Sequence, residues 1–167
     1  TVHLSVCDQG EVVYIDKVDS PNPIRLHSTI GGRAPAHAVA SGLAFLAFQD
    51  AATQAQVWKE GLRRFTDRTI TAPGRLRRRL EEIRRDGYAF SVGAWHHGSA
   101  GVAAPIRSHT GHVVAVLSVA GPAERIVGRV PELAGLVRAA AEEISQALGD
   151  PTAQRPLPAR IARRRVT

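Results

Sequence analysis

The chain has 167 residues, enough for one domain with a full core and cramped for two. Hydrophobic residues make up 44% and charged residues 22%, an ordinary balance that argues against wholesale disorder, and no run reaches the roughly 18 apolar residues of a membrane span. The net charge of +7 is unevenly placed: beyond residue 149 there are five Arg (Arg155, Arg160, Arg163, Arg164 and Arg165) and one Asp, which leaves +3 for residues 1–149, so the body is only mildly basic.

Thr1 to Val6 is already an alternating strand, with no initiator methionine and no signal-peptide architecture, so we expect a piece of a longer protein. Asp8-Gln9-Gly10 turns it into a second β-rich run, Val12 to Val18, and the pair reads as a hairpin. The lone Cys7 cannot form an internal disulfide, fits a reducing compartment, and reads as a buried thiol rather than a nucleophile. After the breaker Asp19-Ser20-Pro21-Asn22-Pro23, the spacing predicts a third strand with Ile24, Leu26, Ser28 and Ile30 on one face and Arg25, His27 and Thr29 on the other.

The run GGRAPAHAVASGLAFLAF, Gly31 to Phe48, is the organising stretch. Ala38 to Phe48 carries no charge and reads as a helix apolar on every side, which the rest of the chain must enclose. Its first turn has only small side chains, so it either packs very closely or offers free backbone N–H groups to an anion or a carbonyl oxygen. A short helix over 52–59 follows, capped by Asp50 or Thr53 and anchored by Val57 and Trp58. Thr71-Ala72-Pro73 starts a solvated amphipathic helix with Thr71 as its cap, Leu76, Leu80 and Ile83 as its apolar stripe, and Gly87 as its stop.

Tyr88 to Trp95 reads as strand and loop, and Gly101 to Ile106 as an apolar strand whose Pro105 belongs near an edge or an end. Val113 to Ala120 is apolar on both faces and therefore central, with Ser118 as a hydroxyl that needs a partner. Pro131 opens a terminal helix with Leu133, Leu136, Val137, Ala140, Ala141, Ile144, Ala147 and Leu148 in its stripe, and Gly149-Asp150-Pro151 ends it. Hairpin-linked strands with helices grouped between and after them predict an α+β fold on an antiparallel sheet.

The seven histidines lack metal-ligand spacing, since His96-His97 are adjacent and diverge on a strand and His109 and His112 span a turn; no metal site is expected. GGRAP lacks the Lys-Ser/Thr pair of a phosphate loop. His37 either donates to a ligand or ties its loop to the backbone. What remains is a cup of hydroxyls, Ser28, Ser41, Ser91, Ser99 and Ser118, with no acid or base to transform a ligand, so binding is expected rather than catalysis.

The runs IGGRAPAHAVASGLAFLAF, FTDRTIT, RDGYAF and VAAPIRSHTGHVVAVLSVAGP, in that order ahead of an amphipathic terminal helix, resemble the effector-binding domain of IclR-type transcriptional regulators over residues 1–149. The resemblance implies a GAF-like (profilin-like) α+β domain, an antiparallel sheet with helices packed on its faces, that binds a small carboxylate or aromatic acid. It further implies a cytoplasmic homodimer or homotetramer without a cofactor, meeting DNA only through an upstream winged helix-turn-helix domain. This chain alone is then expected to show no sequence-specific DNA binding. Carried over by position, the ligand site falls on Leu26, Ala34, Ala40, Ser41, Ser91, Ser99, Gly101, Ser118 and Ala120. The family pattern often has an acidic residue where Ser91 stands, a Cys at Gly101, a Ser at Ala120 and a Lys at Leu43, so an apolar or aromatic acid fits here as well as a two-carbon one. Residues 150–167 form a basic, Pro- and Arg-rich tail. The competing readings are an oligomerisation module without ligand and an enzyme on the same fold.

Overall fold

The computed structural model describes residues 1–59 and 61–152; nearly all of the expected tail lies outside them. β1 (Val2–Asp8) and β2 (Glu11–Val18) form the expected hairpin. Gln9 and Gly10 both take positive φ, 48° and 79°, the backbone that a two-residue loop needs to match the strand twist.

The third strand is not where the alternation placed it. Residues 24–30 make no ladder; β3 is the three-residue Arg33–Pro35, paired antiparallel with Glu11 to Val13. The segment before it is pinned by side chains instead: Lys17 Nζ donates to the Ser28 carbonyl at 2.7 Å, and His3 Nε2 shares a hydrogen bond with Ser28 Oγ at 2.8 Å.

α1 (Ala40–Ala47) begins two residues later than the uncharged run, because Val39 is extended at its N-cap. Every residue of α1 except Phe45 is buried, as its composition requires. In α2 (Ala51–Lys59) the cap is Asp50, whose Oδ1 accepts from the Thr53 N–H at 2.7 Å, while Gln54 is buried and donates back to the Leu46 carbonyl at 2.9 Å. α3 (Pro73–Asp86) buries Leu76, Leu80 and Ile83 and ends on Gly87 at φ 77°. Its N-cap is Ala72; Thr71 is displaced from that role and its Oγ1 accepts from Arg64 at 3.3 Å.

β4 (Ala89–Val92), β5 (Ser99–Arg107) and β6 (Val113–Pro122) complete an antiparallel sheet in the order β3-β2-β1-β6-β5-β4. β6 is central, between β1 and β5. Pro105 lies two residues past Ala103, the last residue of β5 that pairs with β4, so no ladder partner is lost on that side. A short α4 (Ala123–Ile126) and a 3₁₀ turn lead into α5 (Val130–Ala147).

Helices cover both faces of the sheet. Ala103 and Val116 pack in the cluster of α1 and α3, whereas their neighbours Ala104 and Leu117 pack with Val137 and Ala141 of α5; successive strand residues point to opposite faces. The buried stripe of α5 is narrower than the periodicity predicts. Leu136 and Leu148 are 57% and 46% exposed and Ala147 is also exposed, because a helix lying on one sheet face touches it along a single line. Among the described residues no helix is long and apolar enough to cross a membrane.

Candidate effector site

On the α1 side of the sheet a cavity that opens to solvent sits where the first turn of α1 meets β4, β5 and β6. Its space follows from small residues: Gly101 in β5 faces Ala120 in β6 across the ladder, and a Cβ on Gly101 would come within 3.6 Å of both the Ala120 and Ala40 methyls. Tyr14, Leu26, Val39 and Trp95 supply apolar walls, and among the described residues no Asp, Glu, Lys or Arg lines it.

Eight of the nine expected site residues border this one cavity: Leu26, Ala40, Ser41, Ser91, Ser99, Gly101, Ser118 and Ala120. Ala34 does not. It pairs with Val12 in the β2–β3 ladder and is buried in the core cluster.

The hydroxyls separate into two kinds. Ser91 Oγ donates to the Ala38 carbonyl at 3.0 Å, Ser99 Oγ to the His96 carbonyl at 2.7 Å, and Ser28 Oγ is engaged with His3. Ser41 and Ser118 are each only 4% exposed, border the cavity, and have no hydrogen-bond partner among the described residues. Their oxygens open on the cavity, where a ligand can pair with them; the side-chain atoms that are themselves buried without a partner among the described residues are Thr1 Oγ1 and His3 Nδ1. Beside them the first i→i−4 bond of the helix runs from the Leu43 N–H to the Val39 carbonyl at 3.0 Å, so the N–H groups of Ala40 and Ser41 have no intrahelical acceptor.

Sequence reasoning missed His3, Tyr14 and Trp95. The sheet places His3 directly across from Ser118, 3% exposed, its ring 4.8 Å from that of Tyr14. No local signal marked His3, because the alternation of β1 turns Val2, Leu4 and Val6 toward a core and His3 away from it. Burial, reinforced by Lys17, pushes His3 from the ordinary 6.5 down to about 4, so a neutral imidazole faces the cavity at neutral pH. Its contribution to stability is complete above pH 6.5 and is lost as the pH falls toward 4, because over that window the unfolded chain binds a proton that the folded one refuses. The urea midpoint should therefore drop between pH 6.5 and 4, less steeply in His3→Gln; equal slopes would show that His3 is protonated in the fold.

The other candidates lie elsewhere. His37 Nε2 bonds the Arg63 carbonyl at 2.9 Å and so ties its loop to the backbone. Burial pushes the Cys7 thiol up to about 12, which suppresses the nucleophilic thiolate. Among the described residues no group of three or more His, Cys, Asp or Glu side chains is placed to hold a metal ion.

The family model described as "Bacterial transcriptional regulator IclR C-terminal" matches residues 1–146. The chain belongs to the IclR family. It is 34% identical over 152 residues to the HTH-type transcriptional regulator KdgR of Escherichia coli K12, covering 89% of this chain and 57% of that protein. It is 33% identical over 153 residues to the transcriptional repressor IclR of the same strain, covering 89% and 56%. The chain thus spans little more than half the length of these relatives. Among solved structures, the C-terminal domain of E. coli KdgR matches with a TM-score of 0.78 at 31% identity, over 89% of this chain and 87% of that one. IclR of Thermotoga maritima matches at 0.80 and 36% identity, over 89% and 61%. A double mutant of the PobR inducer-binding domain from Acinetobacter, in complex with 3-hydroxybenzoic acid, matches at 0.78 and 26% identity, over 86% of each chain. The fold of this IclR-family domain is accordingly the α+β, GAF-like one that the resemblance implied.

Proposed function

We propose that this domain senses a small carboxylic acid with an apolar or aromatic body and thereby sets the operator affinity of a larger, cytoplasmic DNA-binding regulator. The observation that carries the reading is the pair of hydroxyls, Ser41 and Ser118, that open on the cavity at the N-terminus of α1 with no partner among the described residues. Two O–H donors and the free N–H groups of the first turn suit a carboxylate, which accepts up to about four hydrogen bonds. The positive end of the helix favours its charge without a cationic side chain. Tyr14, Leu26 and Trp95 then enclose the apolar body. The similar PobR domain, whose structure holds 3-hydroxybenzoic acid, supports an aromatic acid as the ligand class. No carboxylate stands in the cavity wall to act as acid or base, and the relatives are regulators, which supports binding without turnover. A ligand of this kind controls DNA affinity by favouring one arrangement of a homodimer or homotetramer over another.

The test is a thermal-shift titration with a panel of aliphatic and aromatic acids beside their amides. At least one acid should raise the Tm in a concentration-dependent way, with its amide much weaker. A panel in which no acid shifts the Tm, or in which amides match their acids, overturns the carboxylate reading.

A further inference from the structure

The positive charge of the described body is concentrated on α3 and the segment before it. From residue 61 to residue 86 there are nine Arg, no Lys, and four acidic residues, Asp67, Glu81, Glu82 and Asp86, a net of +5, of which α3 carries +3; the rest of residues 1–149 therefore carries −2. Because α3 turns Leu76, Leu80 and Ile83 into the core, its arginines lie on the solvent side. Arg75, Arg78 and Arg79 border one shallow hollow beside Ile70, the i, i+3, i+4 spacing that brings side chains together on a helix. Arg79 is engaged, with Glu82 at 2.8 Å and the Phe90 carbonyl at 3.1 Å. The side chains of Arg75 and Arg78 are exposed and have no hydrogen bond or ion pair among the described residues. The first turn of α3 carries no acidic residue, and Arg64 is held beside it by its bond to Thr71.

We propose that this arginine face of α3 contacts the phosphate backbone of duplex DNA without reading its sequence. None of the exposed large apolar side chains falls between residues 61 and 85, whereas protein interfaces rely on buried aromatic and aliphatic anchors. A phosphodiester track needs only charge and donors, and guanidinium forks match it bidentately. The inference rests on the regulator reading above, and it amends the expectation that DNA is met only upstream. Base recognition stays with the upstream domain, while this face adds affinity without base contacts.

The experiment is fluorescence anisotropy with a labelled duplex of arbitrary sequence, about 30 base pairs long, titrated between roughly 50 and 200 mM NaCl. Every protein in it is the full chain with the five tail arginines changed to Gln, so the tail cannot supply the binding. We expect binding whose log K falls linearly with log salt, and in Arg75→Gln/Arg78→Gln a slope shallower by about 1.8, since each lost phosphate contact removes about 0.9. A charge-matched Arg25→Gln/Arg138→Gln control should keep the original slope. No binding, equal effects of the two double variants, or equal displacement of the duplex by polyglutamate or phosphatidylglycerol vesicles would overturn the proposal. The effector reading fails separately, in a carboxylate titration without DNA.

Discussion

Gly42→Ala is expected to destabilise the domain by about 3 kcal/mol or more, the upper end for overpacking a well-filled core. A Cβ built on Gly42 would stand 2.2 Å from the Ala36 carbonyl oxygen and 2.3 Å from the Ala36 Cα. Both are backbone atoms, so no flexible side chain is available to move aside. Ala36 is itself fixed, since its N–H donates to the Gly10 carbonyl at 3.1 Å and its side chain is 1% exposed. Accommodation would have to shift α1 away from the strand it follows and disturb the cavity at its N-terminus. Against a typical total of about 5–15 kcal/mol, such a loss removes roughly a fifth to three fifths of the stability. Urea denaturation reads the effect. The control is Gly74→Ala in α3, where a Cβ meets nothing within 4 Å and alanine is the better helix former, worth about 0.5–1 kcal/mol in the stabilising direction. A Gly42→Ala midpoint indistinguishable from that of Gly74→Ala would mean that α1 does not sit as close to Ala36 as described.

Ser118→Val is expected to weaken the responsive acid by roughly ten- to a hundredfold, the value of about 1.5–3 kcal/mol for a hydrogen bond to a charged group. Stability without ligand should stay nearly unchanged. The hydroxyl has no protein partner to leave unsatisfied among the described residues, and valine suits a central strand whose neighbours across the ladders are His3 and Ala103. Ser41→Ala should act in the same direction. The double variant should lose less than the sum of the two if both hydroxyls hold one carboxylate, because residues sharing a partner are not additive. Isothermal titration with the best acid of the panel measures all three. An unchanged Kd in both single variants, with the fold intact, would place the ligand elsewhere.

The reading of 24–30 as a strand shows where local pattern runs out. Its alternation of apolar and polar residues is genuine, yet a strand needs a ladder. The edge of β2 is taken by Arg33–Pro35, and its Tyr14 exchanges hydrogen bonds with the Gly31 N–H and the Gly32 carbonyl. Leu26 and Ser28 reach the cavity because the Ser28 side chain and carbonyl are held by His3 and Lys17. That arrangement joins residues far apart in the chain, and no local spacing encodes it. β1 teaches the same lesson in another form. Its apolar residues suggest a core face at Val2, Leu4 and Val6, but the polar His3 and Ser5 are the more deeply buried, at 3% and 1%. Helices cover both sides of the sheet, and the side toward α1 is the one that needs polar groups.

The sequence by itself determined the hairpin, the wholly apolar α1, the Leu76-Leu80-Ile83 stripe with its glycine stop, the central position of β6 and the serines that came to border one cavity. Each of these rests on a period, a breaker or a composition that acts within a few residues, where backbone sterics and burial leave one choice. Only the tertiary structure decided that Ala34 packs into the core, that His3 and Tyr14 border the cavity beside Ser118, and that Ser41 and Ser118 alone among its serines have no partner among the described residues. Those outcomes depend on which face each strand turns toward α1 and on which acceptors reach which hydroxyls, and both are settled by contacts between segments distant in the chain.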